Sequence, residues 1–503
     1  MNKETSFNPL VAKKDMEKTE PKEHFVSPQD MERAINEAYH PTWMRNEAGF
    51  EQQLDLPIGT LNLKENLSPE NLPETVEQLF DNPSVGRACI LNHNLLKEPD
   101  FKGGIVYIWP TKLCPIGCAH CMFGSPRSNE KLNGAISNQL TGEETQRAID
   151  FTNDMKADIV ALSGGGEPMV EREKSFDIIK NVNAENIHMI TNGYWGDNTD
   201  GIESFFDDLS SAFRQRKEQQ RPNAKFVLKL SVDEEHQHHL PVSNVIGILE
   251  ESFNRKFDFP IEIRLKSIFR EDKAVNELLE NLQIKYPQLK IEEVNPFKLK
   301  LIIAEDREIY VTFKNRVTSG RGAVHQMDGI TANYNKEYTD FISSQIPGGR
   351  INPTNQALGG DNVEFTNGVN YTIEYDGSIK LLEGTPLDNV PNINDYDFRG
   401  AQQMIFKDPI SYLSRLESPE AVYAIAEEIN PESLKKTRAQ NALYYNLERL
   451  LDTPEKRLYA TIRACQILGE SHPEIFDKNP NDPKNFWIDV PVDKLKSMLK
   501  FEK

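Results

Sequence analysis

The chain has 503 residues, 58 Lys and Arg against 78 Asp and Glu, a net charge of −20 and five cysteines. So acidic a field repels phosphate backbones and disfavours a nucleic-acid partner unless a local basic patch overrides it. With no apolar run long enough to span a bilayer and few cysteines, the expectation is a cytoplasmic protein in a reducing compartment, its core spread over more than one domain.

In chain order, residues 1–25 are rich in Lys, Glu, Asn and Thr without an apolar core, so a disordered tail is expected rather than a signal peptide or anchor. An extension over 26–102 follows. Ser27 and Pro28 start a helix reaching Tyr39, and Cys89 reads as a small buried apolar residue. From Gly103 strand and helix patterns alternate, which predicts parallel strands joined by helical crossovers. Strands are expected at 105–109, 158–163, 187–191, 225–232 and 261–268, with 290–294 as the sixth. The helices between them fall near 141–156, 174–181, 201–219, 244–254 and 273–284, the first opened by the capping box Thr141-Gly142-Glu143-Glu144. After the sixth strand, 298–303 and 308–313 read as a hairpin within this 103–330 unit. A second hairpin over 371–380, within a 331–397 extension, turns at Asp376-Gly377. Residues 398–503 are helical, and the stripes Leu443, Leu447, Leu450 and Leu458, Ile462, Cys465 suit a cover for the core or a homodimer face.

Three of the five cysteines fall in Cys114-Pro115-Ile116-Gly117-Cys118-Ala119-His120-Cys121. They follow the first strand directly, at the end where α/β folds place their chemistry. A structural zinc site takes four protein ligands, usually as paired C-x2-C knuckles, and no second knuckle follows. His120 sits too close to its two flanking cysteines to complete a regular tetrahedron easily. A 4Fe–4S cluster normally takes four cysteines, so three leave one iron open to another ligand. Both the zinc and the iron–sulfur readings stand at this point.

The C-x3-C-x2-C spacing resembles the signature of the radical S-adenosylmethionine (radical SAM) superfamily. The resemblance implies an α/β fold built on a partial (β/α)6 barrel, with Cys114, Cys118 and Cys121 each on one iron of a single 4Fe–4S cluster. S-adenosylmethionine then chelates the fourth iron. An electron from the cluster cleaves it to a 5′-deoxyadenosyl radical that takes a hydrogen atom from the substrate, the cofactor supplying the chemistry and the protein the positioning. It also implies an electron donor such as a flavodoxin or ferredoxin. A second match lies after the second strand, in Ser163-Gly164-Gly165-Gly166-Glu167-Pro168. The resemblance places Gly165, Gly166, Glu167 and Pro168 around the methionine amino group, for which a carboxylate is a sensible partner. Thr191 and Asn192 after the third strand, and Ser231 and Asp233 after the fourth, resemble the family's contacts to ribose and methionine carboxylate. His120 belongs with these cofactor-binding candidates.

Alternation places Lys229 with Ser231, and Glu262 with Arg264 and Lys266, on strand faces that should line the barrel interior. Arg264 and Lys266 are candidates for gripping carboxylates, or else structural ions paired with Glu262. This charge suits a peptide or a small amino-acid-like metabolite as substrate. His236, His238 and His239 read as loop residues. Ser319-Gly320-Arg321-Gly322-Ala323 resembles the turn that closes the barrel in peptide-modifying branches of the family. The 371–395 region resembles their C-terminal extension, the SPASM/twitch type, yet Leu382 and Glu383 stand where a cysteine is expected, which speaks against an auxiliary cluster. The rival reading is a non-catalytic zinc-binding scaffold or interaction protein.

Overall fold

Ten segments are extended: β1 (Ile105–Ile108), β2 (Ile159–Leu162), β3 (Asn186–Thr191), β4 (Lys225–Ser231), β5 (Ile261–Ser267), β6 (Lys290–Asn295), β7 (Lys298–Ala304), β8 (Arg307–Phe313), β9 (Tyr371–Ile373) and β10 (Ile379–Leu381). The computed structural model describes residues 96–127, 138–219, 224–270, 272–304, 307–314, 316, 321, 329–344, 368–381, 390–406, 408–417, 419–429, 451, 460, 464 and 467–476. The expected tail, the 27–39 helix, Cys89, Cys465, the leucines at 443, 447 and 450, and Leu382 and Glu383 lie outside them.

The strands form one sheet in the order β10-β9-β1-β2-β3-β4-β5-β8-β7-β6. Pairing is parallel from β9 through β1–β5 to β8, with antiparallel partners at each end. This parallel α/β sheet is the one expected of a partial barrel, but its sixth strand is not 290–294. That place belongs to β8, the return arm of the expected hairpin. β6 pairs antiparallel with β7 at the sheet's end, where Lys290, Glu292 and Glu293 are exposed. A strand polar on both faces cannot sit in the middle of a sheet buried on both sides.

Helices α1 (Gly142–Met155), α2 (Arg172–Asn181), α3 (Thr199–Glu218), α4 (Val242–Asn254) and α5 (Lys273–Lys285) cover one face. Their apolar residues, such as Ile149, Ile178, Phe205, Val245 and Leu278, share a core with Ile108, Leu162, Met189, Leu228 and Leu265. The expected capping box opens α1: Thr141 accepts from the Glu144 amide at 3.2 Å, and the Glu144 carboxylate accepts from the Thr141 amide at 2.7 Å. On the opposite, inner face a small separate core joins Ile105, Tyr107, Ile159 and Ala161, with Trp109 and Ile190 packed on it.

The hairpin turning at Gly377 (φ 80°) forms as expected, but it is part of the main sheet. β9 lies against β1, with Val106 opposite Tyr371. The approach is close, since a Cβ on Gly368 would stand 1.9 Å from the Gly103 backbone. The helices Phe398–Phe406 and Pro409–Leu416 then anchor the segment leading into β1. Phe101 packs edge-on against Phe406 and Tyr412, and the Gln402 side chain exchanges hydrogen bonds with its backbone at 3.1 and 2.9 Å.

Candidate metal and cofactor site

β1 ends under Trp109, and the chain then folds back on itself through the cysteine loop. The Cys114 amide donates to the Pro126 carbonyl at 3.0 Å, and the Cys121 amide to the Cys118 carbonyl at 3.3 Å. Arg321 holds the loop from outside. Its backbone amide donates to the Cys121 carbonyl at 2.9 Å, and its guanidinium to the carbonyls of Cys118 (3.0 Å) and Ser125 (2.7 Å). The expected barrel-closing turn thus has its arginine on the cysteine loop, while its other four residues lie outside the described ones. All three thiols are free, with Cys118 buried and Cys114 and Cys121 partly so.

The glycine turn after β2 packs directly beneath this loop. The Glu167 amide donates to the Leu113 carbonyl at 2.9 Å, and a Cβ on Gly166 would sit 2.1 Å from that same oxygen, so only glycine fits. Gly164 adopts φ 101° with the Trp109 indole against it, and Gly165 lies between Trp109 and Tyr375. The Glu167 side chain turns into the protein. Its carboxylate accepts from the Thr191 hydroxyl at 2.7 Å, the Asn192 amide at 2.8 Å and the Met169 amide at 3.2 Å. Burial outweighs those three donors and pushes its pKa up to about 7. Pro168 follows as the first residue of a short 3₁₀ turn that Glu167 caps.

From β3, the Asn192 side-chain amide reaches the Cys114 sulfur at 3.6 Å. Burial, reinforced by the Glu167 carboxylate and the other two thiols, pushes the Cys114 thiol up to about 12. A metal bound there would replace that proton.

The expectation for His236 needs correction. It lies in a helical turn, Glu234–Gln237, that Asp233 caps, rather than in a loose loop. The Asp233 carboxylate takes the His236 amide at 3.0 Å and the imidazole Nδ1 at 2.7 Å, and the ring hydrogen-bonds Cys118 as well. Burial opposes charge on that ring, but Asp233 and Cys118 together hold its pKa well above the ordinary histidine value. The paired imidazole, against the opposing effect of burial, draws Asp233 down to about 2. His120 meets His236 edge-on at 5.0 Å, and the ligand atoms of Cys118, His120 and His236 lie within 4.8 Å of one another. His238 and His239 meet each other edge-on instead.

The structure therefore gathers Cys114, Cys118, Cys121, His120, Gly165, Gly166, Glu167, Pro168, Thr191, Asn192 and Asp233 at the C-terminal ends of β1–β4. Ser231 ends β4, partly buried, beside Lys266 in register. Arg264 stands apart from this group, lower on the inner face, paired with Glu262. Sequence reasoning set His236 aside with its neighbours as a loop residue, although Asp-x-x-His was its signal: an N-cap carboxylate at i can take a ring at i+3 as well as the backbone.

Three free thiols on one short loop, a glycine cradle that a single Cβ would fill, and an imidazole donor at one sulfur fit an iron–sulfur cluster held from one side. Residues 102–221 match a family described as a 4Fe-4S single cluster domain. A curated Bacillus subtilis (strain 168) protein named for peptide biosynthesis, YydG, is 28% identical over 177 residues, 34% of this chain and 47% of its own length. The chain thus aligns with about half of that relative. A solved structure described as native anSMEcpe with bound AdoMet superposes with a TM-score of 0.34 at 15% identity, covering 72% of this chain and 99% of the other. Among the described residues no helix is long and apolar enough to cross a membrane.

Proposed function

We propose, from the premise that this is a radical SAM enzyme with its 4Fe–4S domain at residues 102–221, that it modifies a peptide by abstracting a hydrogen atom from one of its residues. The observation that carries the reading is the seating of the glycine turn under the cysteine loop, with Glu167 bonded to Leu113 one residue before Cys114. Two motifs that lie about fifty residues apart in the chain thereby share one site.

The bound cluster would supply the electron that splits the sulfonium of S-adenosylmethionine and so generates the hydrogen-abstracting group. Cys114, Cys118 and Cys121 would hold it, with Asn192 and His236 donating to the sulfurs of the first two and drawing negative charge from them. Gly165 and Gly166 leave backbone open to the methionine end of the cofactor. Glu167, whose buried carboxylate is taken by Thr191, Asn192 and Met169, would hold that turn in place rather than present a charge to the cofactor, and Ser231 and Asp233 close the same rim. Trp109, packed on Gly164, meets the Phe123 ring edge-on at 4.8 Å beside the loop. A separate one-electron donor, such as a flavodoxin or ferredoxin, would reduce the cluster. A peptide as substrate is supported by the likeness to the peptide-biosynthesis relative.

The convergence of Cys118, His120 and His236 favours a second reading, a single zinc ion in a non-catalytic scaffold. Anaerobic reconstitution with iron and sulfide separates the two. Brown protein that releases 5′-deoxyadenosine under reduction supports the enzyme, and the Cys114→Ala variant should then release none. Colourless protein holding one zinc that His236→Ala removes would sink the proposal.

A further inference from the structure

Each of the three loop sulfurs has a polar side chain beside it, and the three neighbours differ in kind. The Asn192 amide lies 3.6 Å from the Cys114 sulfur, and the Ser125 hydroxyl 3.6 Å from that of Cys121. Both of these groups are neutral. Cys118 instead meets the His236 ring, which the Asp233 carboxylate backs at 2.7 Å. Both Asp233 oxygens are committed there, one to the His236 amide and the other to its Nδ1.

The turn that delivers this ring is fastened along its length. The Asp233 amide donates to the Gln237 side chain at 3.2 Å, and the Glu234 amide to the Asp272 carboxylate at 3.0 Å. Glu235 takes the Arg316 guanidinium at 3.1 Å, and the Asn335 side chain pins the Arg316 backbone through two bonds of 2.8 Å. Asp233 and Arg316 are both buried. A turn of four residues forms without such anchoring, whereas a ring that must stay within reach of one sulfur depends on it. Arg321 holds the other partner, bonding the Cys118 carbonyl at 3.0 Å.

With Nδ1 turned to Asp233, the ring suits a metal-bound sulfur in one form, with hydrogen on its other nitrogen. A bare lone pair there would oppose those of the sulfur. Reduction adds negative charge to an iron–sulfur cluster, and a hydrogen-bond donor at a ligand sulfur favours the more negative state. We propose that His236, oriented by Asp233, is a positioning residue that sets how readily a cluster on Cys114, Cys118 and Cys121 accepts its electron. This rests on the radical SAM reading and adds to it a determinant of reduction that lies outside the cysteine loop.

A redox titration of the anaerobically reconstituted full chain with dithionite and mediators tests this, the cluster's state being read by electron paramagnetic resonance. At the potential that leaves the wild-type cluster half reduced, His236→Leu should raise the oxidised-to-reduced ratio about tenfold, because it removes a donor to a charged acceptor. Asp233→Ala, which leaves the ring unheld, should move the ratio in the same direction. His236→Gln keeps an N–H that can reach the sulfur and should restore most of the wild-type ratio, while the shorter His236→Asn should not. That pair decides the matter should the leucine variant take up too little iron. Equal ratios in wild type and His236→Leu, or a glutamine variant as oxidised as the asparagine one, would overturn the assignment and leave the ring a packing role. A wild type that takes up no cluster would refute the proposed function instead, and this inference with it.

Discussion

At the scale of single residues, the site depends on side chains that are missing as much as on those present. Gly166→Ala would force a Cβ against the Leu113 carbonyl and lift the cysteine loop off the turn. A cost of about 2 kcal/mol is expected from such overpacking, together with reduced iron incorporation, read by thermal denaturation and iron assay. Arg321→Met strips two loop carbonyls of their donor and should cost about 1–3 kcal/mol while speeding loss of iron to a chelator; unchanged loss would mean the loop holds its own shape. Lys266 gives a pH dependence with a definite sign. Its folded pKa, about 8, lies below the ordinary 10.5, so between those values the unfolded chain holds the extra proton and stability rises with pH. Chemical denaturation from pH 8 to 10.5 should show that rise in the wild type and a flatter profile in Lys266→Met. The cysteines and the glycine turn were legible in the sequence because their meaning lies in local spacing. His236 was not, since only the docking of the Asp233 turn on the cysteine loop brings it to Cys118.

At the scale of elements, local chemistry was again the readable part. Thr141 and Glu144 are three residues apart, so their reciprocal bonds could be foreseen without any fold. Period-two alternation likewise identified β6, β7 and β8 as strands, but it carries no information about partners, and β8 rather than β6 took the place beside β5. The end of α1 offers a test of backbone chemistry. Lys156 occupies the left-handed region at φ 56°, where it closes the helix through its amide to Asn153 and Thr152. Lys156→Gly should stabilise by about 0.5–1 kcal/mol, seen as a higher midpoint in thermal unfolding; a lower midpoint would show that chain entropy outweighs the strain.

At the scale of the whole molecule, charge and topology were legible to different degrees. Composition gave the acidic surface, and alternation along β4 and β5 gave its cationic counterpart inside. The pairing of the two with an apolar wall required the sheet.

β1 carries the cysteine loop, yet one of its two neighbours in the sheet is β9, so Val106 waits for Tyr371. On the ribosome, then, the strand leading into the cysteine loop emerges early and keeps a bare flank until most of the polypeptide has been made. Fragments that stop short of Gly368 inherit that flank permanently, an invitation to pair with another copy.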